Sequence, residues 1–120
     1  MKRMVRMFLL AAVTTGALVG VVPTASACDY GSFCAYTGHD FNGDRFMRSY
    51  RVADWPSYID EAENSAWNNG SISAPVRVYD SVSYSDPHYC VYRGHRVTLP
   101  DNKDNDGQAH QWISGITGCF

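Results

Sequence analysis

Side chains able to do chemistry are present in this 120-residue chain, but few stand in a pattern that would let them act together. His39, His88, His95 and His110 lack zinc-ligand spacing, and the H-E-x-x-H pattern is absent. His39 and His95 each follow a glycine, Gly38 and Gly94, which is turn context. There is no G-x-S-x-G elbow for a serine nucleophile, and a cysteine nucleophile would need a free thiolate. The twelve acidic residues form pairs, as any such set does, with none singled out for acid–base work. Asn102-Lys103-Asp104-Asn105-Asp106-Gly107 imitates the front of an EF-hand loop. Its twelfth position is Ile113, where a bidentate glutamate would close the calcium cage, so a solvated acidic loop is expected. These residues point to a protein that is not an enzyme.

The four cysteines, Cys28, Cys34, Cys90 and Cys119, carry the next signal. Ahead of them lie Lys2, Arg3 and Arg6, an apolar run from Met7 to Val22, and Ala25-Ser26-Ala27. A positive, apolar, small-residue order predicts an export signal over residues 1–27, cleaved after Ala27. The apolar run is shorter than a spanning helix needs, so no membrane anchor is expected. The competing use of Cys28 is lipidation at the cleavage site, against which Ala25 stands where a larger aliphatic residue is usual.

A secreted, extracellular domain with an even cysteine count predicts two disulfides. Three pairings are possible. Closeness in sequence favours Cys28 with Cys34, leaving Cys90 with Cys119 to close a loop of about 30 residues, worth on the order of 3 kcal/mol. Removing the three leader cations changes ten basic and twelve acidic residues to seven and twelve. The mature surface is therefore acidic and repels phosphate, which excludes nucleic acid as a partner.

Residues 28–120 offer no amphipathic helix. Short aromatic and β-branched runs separated by Gly, Asn, Asp, Ser and Pro predict strands over Phe33–Tyr36, Arg45–Tyr50, Val76–Tyr79, Tyr89–Tyr92 and Arg96–Leu99. Trp55–Asn64 is expected to hold at most a short helical turn. Trp67 and Trp112 are expected to be the largest core contributors, a stronger reading of Trp55, Trp67 and Trp112 than a carbohydrate-binding face. Asn69-Gly70-Ser71 matches a glycosylation sequon but reads first as a tight turn between halves of roughly 28–70 and 71–120.

Those halves share a motif. Tyr36, Phe41 and Gly43 fit Y-x-x-x-x-F-x-G, and Tyr79, Tyr84 and Asp86 repeat it with aspartate in place of the glycine. Two aromatics packing across a folded hairpin, followed by a residue tolerating positive φ, explain the spacing. The motif is the Greek-key signature of βγ-crystallin-type domains. With the leader, the length and the four cysteines, the chain resembles the secreted actinobacterial metalloproteinase-inhibitor family built on that fold. Asp60-Glu61-Ala62-Glu63-Asn64-Ser65-Ala66-Trp67 adds support, occupying the place of that fold's acidic pair, serine pair and apolar strand.

The resemblance implies an all-β, βγ-crystallin-like Greek-key sandwich acting as a monomeric inhibitor of an extracellular, thermolysin-like zinc metalloprotease. It implies a substrate-like reactive bond between Cys90 and Val91, with Val91 entering the apolar pocket and the Cys90 carbonyl facing the catalytic zinc. Tyr89 and Tyr92 would flank it, and a bridge at Cys90 would limit the entropy lost on binding. Spacing alone favours an ordinary half-buried strand, in which Tyr89, Val91 and Arg93 alternate with Cys90 and Tyr92. No cofactor is expected. The resemblance suggests calcium at Asp60, Glu61 and Ser65, weakened by Glu61 and Asn64, which depart from the usual ligands, and by the lack of carboxylates over Ala109–Ser114 in the second half. The alternative function is a non-inhibitory secreted binding or structural module of the same fold.

Overall fold

A computed structural model describes residues 26–120. The expected export segment lies outside the described residues, apart from Ser26 and Ala27. Seven strands form: β1 (Ser32–Tyr36), β2 (Arg45–Arg48), β3 (Ser65–Asn69), β4 (Val76–Ser81), β5 (Ser85–Val91), β6 (Arg96–Thr98) and β7 (Ala109–Trp112). One sheet has the order β2-β1-β3-β6 and the other β5-β4-β7, with antiparallel pairing throughout. The all-β class and both disulfides, Cys28–Cys34 and Cys90–Cys119, agree with the sequence reading.

The strand register makes the internal repeat explicit. Tyr36 lies opposite Ser65 across β1 and β3, and Tyr79 lies opposite Ala109 across β4 and β7. Each hairpin has left-handed residues at the same three places, Asp40, Phe41 and Gly43 in one and Ser83, Tyr84 and Asp86 in the other. The motif aromatics meet edge to face at 5.8 Å in both, as Tyr36–Phe41 and Tyr79–Tyr84. The repeats also exchange a strand: β6 pairs with β3, and Val52 bridges to His110 in β7.

β7 is a strand that the sequence reading missed, and β3 is one it reached only through the resemblance, as the apolar strand around Ala66 and Trp67, because polar residues face inward where apolar ones were sought. Asn68 and His110 are fully buried. Asn68 donates through Nδ2 to the carbonyls of Ala74 and Val91, and its Oδ1 accepts from Gly70 N and Trp112 Nε1. A buried amide with both ends satisfied carries little penalty. The remaining expected strands shift at their ends: β2 stops at Arg48, and β5 starts four residues earlier than Tyr89. Pro56–Ala62 forms hydrogen-bonded turns, including Asp60 N–H to Pro56 O.

The core between the sheets is built on Phe33, Phe46, Trp55, Ile59, Val76, Val78 and Val91. Trp55 is its buried tryptophan, which corrects the emphasis on Trp67 and Trp112; Trp112 is half-buried at its margin, and Trp67 is half-buried on the other side of the first sheet. A second cluster covers the other face of β1, where Cys28, Cys34 and Tyr36 pack with Phe41, Met47 and Trp67. β1 is consequently buried on both faces. Arg96 lies over the rings of Phe41 and Trp67 at 5.0 and 5.2 Å.

His110 sits at the centre of the core. Its Nδ1 accepts from Trp55 Nε1 at 2.9 Å, so the proton is on Nε2, which donates to Tyr50 O at 3.0 Å. Burial holds its pKa down at about 3, against an ordinary value of 6.5. Between those values the unfolded chain binds a proton that the folded chain does not, so stability falls as pH drops through the window, by about 1.4 kcal/mol per pH unit. Glu63, whose pKa is raised from 4.5 to about 7, opposes this between its own two values, so the slope is read as a difference. The stability of the natural chain relative to His110→Gln, whose amide can accept and donate at the same places, should fall by this amount per unit as pH drops through the His110 window in denaturant titrations.

The two hairpins differ at their third left-handed residue. A Cβ on Gly43, at φ +81°, would lie 2.5 Å from Thr37 Oγ1 and 2.9 Å from Gly38 N. Asp86 already tolerates φ +56° and accepts from Ser81 Oγ at 2.6 Å. Gly43→Ala is expected to cost about 1–3 kcal/mol by denaturant unfolding, whereas Asp86→Gly should change stability by less than about 1 kcal/mol.

Candidate functional site

The site residues expected from the sequence gather at the end of β5, beside the second disulfide. Tyr89, Cys90 and Val91 are the last three residues of that strand, and all are buried. Val91 lies opposite Val76 in the ladder and inside the main core. Its carbonyl accepts from Asn68 Nδ2 at 3.0 Å. The carbonyl of Cys90 accepts from Phe120 N at 2.9 Å, and Tyr92 N donates to Phe120 O at 2.9 Å.

This arrangement corrects the reading of Cys90–Val91 as an exposed reactive bond. The valine has no exposed surface to offer an enzyme pocket, and the Cys90 carbonyl faces the C-terminal segment. That segment, bridged through Cys119, lies along the outer edge of β5 and satisfies backbone groups that an edge strand would otherwise leave open. Tyr89 faces the core and its hydroxyl has no partner among the described residues, while Tyr92 is half-buried. The exposed part of the braced region is instead residues 114–120, where Gly115 and Gly118 take positive φ and Phe120 is 39% exposed. A small open cleft next to it is lined by Arg77, Pro87, His88, Tyr89, Cys90 and Gly118.

Two of the calcium candidates, Ser65 and Glu61, are already engaged within the fold, whereas Asp60 Oδ1 is buried with no hydrogen-bond partner among the described residues. Ser65 is fully buried; its hydroxyl donates to Gly38 O at 2.8 Å and accepts from Phe41 N at 3.1 Å, fastening the first hairpin to β3. Glu61 Oε1 accepts from Gln108 Nε2. Burial, with Glu61 and Asp54 nearby, raises the pKa of Asp60. The register also revises the comparison between halves. Because Ser65 corresponds to Ala109, the counterpart of the first acidic loop ends at Ala109 and contains Asp104 and Asp106, although Ala109 lacks the serine hydroxyl.

These two acidic loops lie against each other. Glu61 N donates to Gly107 O, and Asn105 N donates to Glu63 O. Glu63 is fully buried, and its Oε1 accepts from the backbone N–H of Gly107 at 2.8 Å and of Asp106 at 3.3 Å. Burial nevertheless pushes its pKa up to about 7. Nearby, the carboxylates of Asp80 and Asp106 meet the imidazole of His88, a cluster not apparent in sequence because the three residues lie on separate segments.

Residues 22–91 match the model of peptidase inhibitor family I36. The chain belongs to this family. As a member of family I36 it is a peptidase inhibitor and not an enzyme, and the resemblance drawn from the Tyr36, Phe41 and Gly43 motif holds at that level. A search of curated proteins finds no match. Among solved structures, one described as showing the evolution of the eye lens βγ-crystallin domain fold aligns with a TM-score of 0.64 at 14% identity, over 74% of this chain and 92% of its own. A βγ-crystallin from Ciona intestinalis aligns at 0.57 and 15% identity, over 68% and 99% of the two chains. An archaeal βγ-crystallin aligns at 0.56 and 14%, over 71% and 100%. These similarities establish the fold of this I36 member.

Incubated with thermolysin, the native protein should retain the Cys90–Val91 bond. Mass spectrometry after reduction should find no fragment beginning at Val91, and such a fragment would show that β5 opens.

Proposed function

We propose that this protein is exported and inhibits extracellular zinc metalloproteases of the thermolysin type, using the disulfide-braced segment at residues 114–120 as its contact surface. The observation that carries the reading is the double fastening of that segment. Cys119 is bonded to Cys90, and Phe120 is hydrogen-bonded through N–H to Cys90 O and through its carbonyl to Tyr92 N–H. A segment held in one turned shape before association loses little conformational entropy on binding. Ile116 is half-buried and Phe120 exposed, so apolar surface lies beside exposed backbone, which suits a cleft that selects apolar side chains. Cys90 and Val91 enter this proposal as the anchor of the inhibitory surface and Tyr92 as its neighbour.

Family membership supports inhibition, and the leader sequence with two disulfides supports an oxidising, extracellular setting. A second reading, the non-inhibitory βγ-crystallin-like module, is favoured by the burial of Val91 and the engagement of both candidate carbonyls.

Titration of thermolysin with the purified, oxidised protein distinguishes the two. The expected result is loss of protease activity near a 1:1 ratio, with trypsin unaffected under the same conditions. Thr117→Asp, on the exposed face of the segment, should weaken inhibition at least tenfold with an unchanged circular dichroism spectrum. Full thermolysin activity at stoichiometric excess would overturn the metalloprotease reading, and inhibition of trypsin alone would move the target to another protease class.

A further inference from the structure

We propose that Asp80, His88 and Asp106 form a zinc site that fastens the second Greek-key half. The three residues come from different elements: the end of β4, the middle of β5 and the loop leading into β7. Their ligand atoms all lie within 4.8 Å of one another. His88 Nε2 is buried and 3.4 Å from Asp106 Oδ2, yet it makes no aligned hydrogen bond there or elsewhere among the described residues. Ligands about 2.0–2.1 Å from a tetrahedral ion stand roughly 3.3 Å apart, so the imidazole and carboxylate are spaced as adjacent ligands of one metal.

The donor set selects the ion. One imidazole and two carboxylates are suited to zinc, whereas calcium requires six to eight oxygens. Three protein ligands leave a fourth tetrahedral position for water. The surrounding structure holds the imidazole and the Asp106 backbone in place, while the Asp80 and Asp106 carboxylates are accessible from solvent. The His88 side chain is 14% exposed, and its ring meets Tyr89 edge to face at 5.7 Å. The Asp106 backbone N–H is held by Glu63 Oε1 at 3.3 Å, reinforced by Gly107 N–H at 2.8 Å. The neighbouring cation, Lys103, donates to the His88 carbonyl at 3.0 Å.

The position of the cluster gives the ion a structural role. In the first half, the Ser65 hydroxyl ties β3 to the folded hairpin through Gly38 O and Phe41 N. Ala109, its counterpart in the second half, has no hydroxyl with which to do this. A metal held by Asp80 and His88 on the β4–β5 hairpin and by Asp106 just before β7 supplies the equivalent link.

The test uses the full oxidised protein, stripped with chelator and titrated with zinc sulfate alone at about pH 7.5, above the ordinary range of imidazole titration. Calorimetry should show one zinc per chain. Zinc in about hundredfold excess over Kd should raise Tm by several degrees, and the same concentration of calcium should not. His88→Ala and Asp106→Asn should each weaken binding at least tenfold, while Asp104→Asn leaves it unchanged. If a ligand variant fails to fold, the natural chain still decides, because zinc should shift the NMR resonance of His88 Nε2 and leave those of His39 and His95 in place. Absence of zinc binding, binding that persists in folded His88→Ala, or a shift confined to other histidines would overturn the proposal. Inhibition of a protease is not among the readouts, so the outcome is independent of the proposed activity.

Discussion

A neutral imidazole in the middle of the core joins the two sheets. His110 belongs to β7, yet its ring packs against Phe33 and Phe46 from the opposite sheet and accepts the Trp55 indole N–H. Its second nitrogen donates to Tyr50 O, near Val52, whose backbone bridges to His110 itself. One residue thereby fixes the connection after β2 against the far sheet. A hydrocarbon of similar size could fill the volume but would leave a buried indole donor and a carbonyl without partners, which is the costly outcome in a dry interior. In the other direction β6 of the second half joins the first sheet beside β3, so the first sheet is made from strands of both halves and the second is tied to the first half by the Val52–His110 bridge.

The halves share a plan but differ in how they are fastened. The first has a glycine at its third left-handed position, a serine hydroxyl across its hairpin and a disulfide of six-residue separation behind β1. The second has an aspartate at that position, an alanine in place of the serine, and a disulfide that reaches from β5 to the C-terminal segment. This second bridge closes the longer loop and therefore constrains the unfolded chain more. It also holds exposed backbone and apolar surface against a rigid edge, which is the property an inhibitor needs if it is to occupy a protease without being rearranged. The acidic–histidine cluster and the segment proposed as the contact surface both lie in the half that lacks the serine hydroxyl across its hairpin.

The Cys90–Val91 segment shows why residue types and a resemblance were insufficient to tell whether a bond is exposed. Tyr89, Cys90, Val91 and Tyr92 have the same residue types whether the strand edge is open or covered. The covering comes from Phe120, thirty residues from Cys90 in the chain, and from Asn68 in the neighbouring sheet. β3 and β7 escaped periodicity for a related reason, β3 being reached only through the resemblance: Asn68 and His110 face inward, and their polarity is acceptable only because Ala74, Gly70, Trp55 and Tyr50 supply partners from elsewhere. Pattern reading detects apolar periodicity and cannot detect a hydrogen bond that folding has yet to form.

By itself the sequence determined the all-β class, the Greek-key motif and the inhibitor family, because Tyr36, Phe41 and Gly43 act through local backbone and hairpin geometry. Cysteine number and spacing likewise led to both bridges. Only the tertiary structure decided which surface is exposed, which acidic residues are engaged inside the fold, and that Asp80, His88 and Asp106 meet. Exposure and convergence are relations among segments remote in sequence, set by the exchange of strands between sheets, and no local pattern of side chains encodes them.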